Sequence, residues 1–146
     1  MKTTKAQERY IEWLHAEEMH AKTQEWLSEL KFIKNEQAFL EKLIKAYQLD
    51  LNGSKYTKTG ENSMAKFRLF RKETKKLLEI VESHNDKLKI MVDGLEQPEA
   101  EEAFKKVHLR LIATVAGFLR RYKQLKTSVY TLIKDLLKSK KQPLIA

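Results

Sequence analysis

At 146 residues, with 42% hydrophobic and 34% charged side chains, the chain is long enough to bury a shared core and polar enough to clothe it. The absence of cysteine excludes a disulfide scaffold, a thiolate metal site and a cysteine nucleophile, while four glycines and two prolines argue against turn-rich sheet architecture. A formal charge of +9 favours anionic partners in general and selects none.

The N-terminal stretch from Met1 to Arg9 is basic and polar, and Glu12, Glu17 and Glu18 interrupt the residues that follow. No signal peptide is therefore expected. No apolar run reaches the ~20 residues that a transmembrane helix needs, so the expected location is cytoplasmic.

The first periodic segment carries Met19, Thr23, Trp26, Leu30, Ile33, Gln37, Leu40, Ile44, Tyr47 and Leu51. Steps of four and three alternate along it, which puts these residues on one helical face and rules out a strand. Leu27, Ala38 and Leu43 widen the apolar face enough for two neighbours. A new helix capped by Thr23 is an alternative, but no Gly or Pro demands a break. The pattern predicts one helix over about 5–50, roughly 70 Å long at ~1.5 Å per residue.

Asn52, Gly53 and Gly60 tolerate left-handed backbone, so 52–61 reads as a loop, with Tyr56 as a candidate anchor and Asn62 or Ser63 as the next N-cap. Phe67, Phe70, Thr74, Leu77, Val81, His84, Leu88, Met91 and Leu95 then define a second helix over 62–93. Gly94 and Pro98 bracket the next turn. Pro98 suits a first helical turn, and Glu99, Glu101 and Glu102 suit its positive dipole end.

The third stripe comprises Phe104, His108, Leu111, Val115, Phe118, Tyr122, Leu125, Val129, Leu132 and Leu136, predicting a helix over 98–139 and a short flexible tail over 140–146. Short connections favour antiparallel neighbours. The expected fold is all-α: an elongated antiparallel three-helix bundle with coiled-coil-like packing, in one domain. A four-helix arrangement, through a bend near Thr23 or self-association, is the alternative.

Two basic runs stand out, 55–76 at +6 and 120–141 at +7. A hairpin centred near residue 96 would bring them to one end of the bundle. Lys66, Arg68, Arg71, Lys72, Arg120, Arg121, Lys123 and Lys126 are thus candidate anion-binding residues, for nucleic acid or anionic membrane. No zinc-finger spacing or ribonucleoprotein motif accompanies them. Tyr10 and Trp13 are candidate protein-contact residues, through which a protein partner or a second copy would bind.

His84 and His108 lie twelve residues either side of residue 96 and both occupy stripe positions. The hairpin places them at one height near Trp26 and Glu29; a polar layer of the kind that can specify register is the expectation, with a pH-sensitive contact or a low-coordinate metal site as alternatives. No catalytic set, metal site or cofactor motif is expected: the chain has no HExxH, no phosphate-binding glycine loop and no ExxH pair of a carboxylate-bridged di-iron bundle. The functional expectation is a non-enzymatic helical adaptor or regulator, with a phosphate-directed binding module as its rival.

Overall fold

A computed structural model describes residues 15–92 and 98–141, and every element among them is helical. Four helices occur there: α1 Ala16–Ala46, α2 Gln48–Leu51, α3 Thr57–Val92 and α4 Pro98–Lys141. The three-helix expectation is therefore corrected. The expected start at residue 5, Tyr10 and Trp13, Gly94 and the tail beyond 141 lie outside the described residues.

The fourth helix arises because the first helical run does not continue through Tyr47. That residue leaves helical geometry at φ −101° and ψ 11°, and its N–H turns back to the Ile44 carbonyl at 3.1 Å. One further turn, α2, carries Leu51 inward until it is 1% exposed. There Leu51 packs against Gly60, where an added Cβ would lie 3.2 Å from Leu51 Cδ1. Gly60 thus lies in the first turn of α3, not in a loop, and its missing Cβ leaves room for the Leu51 side chain.

The connection itself is tight. Gly53 adopts φ +77°, the Ser54 hydroxyl donates to the Leu51 carbonyl at 2.7 Å, and the Thr57 hydroxyl lies 2.7 Å from that same oxygen. These hydroxyls satisfy the Leu51 carbonyl, which α2 leaves open at its end. The chain can then re-enter a helix at Thr57, ahead of Asn62 and Ser63, which lie inside α3.

The described chain forms two compact units. Unit 1 comprises Met1–Lys31 and Lys76–Phe118, and its core includes Met19, Trp26, Leu30, Val81, Leu88 and Val115. Unit 2 comprises Phe32–Lys75 and Leu119–Ala146, and its core includes Leu40, Ile44, Phe67, Leu125 and Val129. Nearly all of the core follows the alternating four-and-three stripes. Ala38 is exposed, because at 100° per residue it is turned away from buried Gln37; Leu78 and Ile133, off the stripes, are buried.

Contacts in unit 2 give the helix directions there. Gln37 Nε2 donates to Thr74 Oγ1 at 2.9 Å, and Arg71 pairs with Glu41 at 2.8 Å, so α1 and α3 run antiparallel. Lys126 pairs with Glu36 at 3.0 Å, and Lys140, within α4, pairs with Asp50 of α2. Rising number with rising number makes α4 run parallel to the chain from α1 into α2.

The Gln37–Thr74 bond gives an asymmetric prediction. Thr74→Val strands the buried Gln37 amide, whose Oε1 has no partner among the described residues, and should cost ~1–3 kcal/mol. Gln37→Leu removes both amide atoms while Thr74 keeps its 2.7 Å bond to the Phe70 carbonyl. It should be the milder change. Urea denaturation of the two variants checks the order.

Candidate functional site

His84 falls on the α3 stripe between Val81 and Leu88, and His108 on the α4 stripe before Leu111, so helical periodicity drives both imidazoles inward. They are 4% and 0% exposed. His84 Nε2 lies 3.0 Å from His108 Nδ1, with the rings stacked at 5.3 Å between centroids. Trp26 of α1 stacks on the other ring, His108, at 4.8 Å, and Phe104 tilts against His84 at 5.8 Å.

Burial holds both imidazoles neutral. It lowers His84 from 6.5 to about 4, aided by the Lys87 ammonium, and lowers His108 from 6.5 to about 4, aided by His84 and Lys22. Each neutral ring carries one N–H, and one ring must donate to the other. His108 Nε2 is buried without a partner among the described residues. A buried orphan N–H is rarer than an under-used acceptor, which assigns the proton to His108 Nδ1, donating to His84 Nε2. His84 then carries its own proton on Nδ1.

His84 also lines a groove of about 460 Å³ between α3 and α4 within unit 1. Glu79, Ser83 and Lys87 of α3 and Phe104 and Leu111 of α4 share its lining. Among the described residues no group of three or more His, Asp or Glu side chains is placed to hold a metal ion.

The second candidate surface is electrostatic. Unit 2 carries 18 Lys and Arg against 6 Asp and Glu, a net +12, whereas unit 1 carries 11 against 14. All eight candidate anion-binding residues belong to unit 2. The Phe70 and Tyr122 rings lie 6.2 Å apart, and Arg121 grips Glu73 through both terminal nitrogens, so the two basic runs meet there.

Three of the eight are engaged by carboxylates: Arg71 by Glu41, Arg121 by Glu73 and Lys126 by Glu36. Glu36 also accepts the Tyr122 hydroxyl at 2.6 Å, and burial is the main reason that phenol is held above its ordinary pKa. Lys66, Arg68, Lys72, Arg120 and Lys123 are exposed. Unit 2 also exposes Phe39, Leu49 and Leu69, which the stripe reading does not single out. The groove was also unmarked, although Glu79, Ser83 and Lys87 at four-residue spacing form a legible polar row beside the stripe.

No family model, curated protein or solved structure matches the chain.

The histidine pair makes stability depend on pH. Both folded-state values lie below the unfolded 6.5, so the contribution is complete above 6.5 and is lost as pH falls toward about 4. The urea midpoint should drop through that window. Replacing both rings by Phe should flatten the drop, and an unchanged pH profile in that variant would assign it to other groups.

Proposed function

We propose that the protein is a non-enzymatic helical binding module, an adaptor or regulator that holds an acidic protein surface through unit 2. The observation that carries this reading is the +12 balance of that unit, in which four of the six carboxylates, Glu36, Glu41, Asp50 and Glu73, are already held in ion pairs. The surplus cations project a positive field that steers an acidic partner and disfavours a second copy of the same face.

Two features favour protein over nucleic acid. Two of the four guanidinium groups in the basic runs are drawn onto carboxylates: Arg121 grips Glu73 through both terminal nitrogens and Arg71 gives Nη2 to both oxygens of Glu41, while Arg68 and Arg120 stay exposed. Phe39, Leu49 and Leu69, at 57%, 88% and 67% exposure, add apolar contact area of the kind protein interfaces bury. No described helix is long and apolar enough to cross a membrane. A cytoplasmic location belongs to the same proposal.

The test reverses Arg68, Lys72, Arg120 and Lys123 to Glu, leaving the Arg71 and Arg121 pairs intact. Cross-linking and mass spectrometry from native extract, followed by a salt series on the recovered complex, should find an acidic protein. Its binding should weaken with salt and vanish in the reversed variant, with helical circular dichroism unchanged. Salt-sensitive binding of duplex DNA or anionic vesicles, lost in that variant while no protein complex forms, would replace the proposal by its phosphate-directed rival.

A further inference from the structure

The groove beside His84 has two chemically unlike walls. Glu79, Ser83 and Lys87 follow one another at four-residue spacing on α3 and so form a polar row. Phe104, Val107 and Leu111 of α4 form the apolar wall. Ile80 and Val107 remain 49% and 39% exposed, apolar surface that an occupant would dry. The volume, about 460 Å³, falls within the ~300–1,000 Å³ usual for small-molecule sites, which also occur between bundle helices.

The polar wall has a sense as well as a position. His84 Nε2 is taken by His108, so the polar atom left to a groove ligand is Nδ1, and the tautomer derived above puts a proton there. Ser83 contributes a hydroxyl and Lys87 an ammonium. Glu79 stands eight residues from Lys87, ~12 Å along the helix axis, so it marks the opposite end of the row. The end near His84 and Lys87 is donor-rich and cationic, and it faces an aromatic and aliphatic wall.

We infer that this groove binds a small amphipathic carboxylate. Its apolar ring or chain lies on Phe104, Val107 and Leu111, and its carboxylate accepts from Lys87, Ser83 and His84 Nδ1–H. An uncharged ligand of the same shape would forgo the charge-assisted bonds, and a cation would meet Lys87 as a like charge. The inference concerns unit 1 and stands independently of the partner proposed for unit 2.

The probes are 4-phenylbutyrate and its uncharged counterpart 4-phenylbutanol, titrated into the isotope-labelled full chain at neutral pH. Calorimetry gives affinity, and ring resonances of His84 and Phe104 report the site. Phenylbutyrate should bind saturably at millimolar concentration, shift those rings, and bind about five-fold tighter than the alcohol. Lys87→Gln, a change at an exposed position, should remove most of that preference and leave the urea midpoint unaltered. Val107→Glu should abolish binding of both probes. The inference fails if neither probe saturates, if the alcohol binds equally well, if the shifts fall elsewhere on the chain, or if Lys87→Gln keeps the preference.

Discussion

A polar side chain on a helical seam has to meet its partner at the same height, because stranding it dry costs roughly 1–3 kcal/mol. Unit 1 obeys this constraint through His84 and His108, and unit 2 through Gln37 and Thr74. Apolar seam residues tolerate more than one alignment, since one Leu substitutes for another in a neighbouring hole. The polar pairs do not. Slide α3 by a turn in either unit and an imidazole or a carboxamide loses its partner, while the surface pairs Arg71–Glu41 and Arg121–Glu73 separate as well.

That register shapes both candidate surfaces. In unit 2 it brings α3 and α4 together so that their cations accumulate, and it spends carboxylates on holding particular cations in place. Each exposed ion pair contributes ~0–1 kcal/mol to stability, so their larger effect is on which cations face a partner. In unit 1 the same seam occupies Nε2 of His84 from within and leaves the ring lining the groove. Neutrality suits this arrangement: a second proton on either ring would bury a cation, and one on each would set two stacked cations against each other beneath Trp26.

The stripes were legible because burial follows a geometric period. Every four-and-three residue of α1 from Met19 to Ile44 is buried, as is every one of α4 from His108 to Leu136. The meeting of His84 with His108 and Trp26 follows from chain arithmetic about residue 96, because helical rise is nearly constant. The boundary at Thr57 was not legible. Asn, Gly and Ser signal a turn without fixing its length, and here the end depends on Leu51 reaching Gly60 and on two hydroxyls finding the Leu51 carbonyl.

Sequence alone determined that this chain is helical, which faces of its helices are apolar, and that its cations fall in two runs. Each is local, set by side-chain spacing along a rod of known pitch. Tertiary structure decided that α2 separates from α1, that Arg71, Arg121 and Lys126 hold carboxylates, and that His84 is shared between a buried partner and a groove. Those outcomes depend on distances between side chains of different helices, and a one-dimensional period carries no information about them until the helices pack.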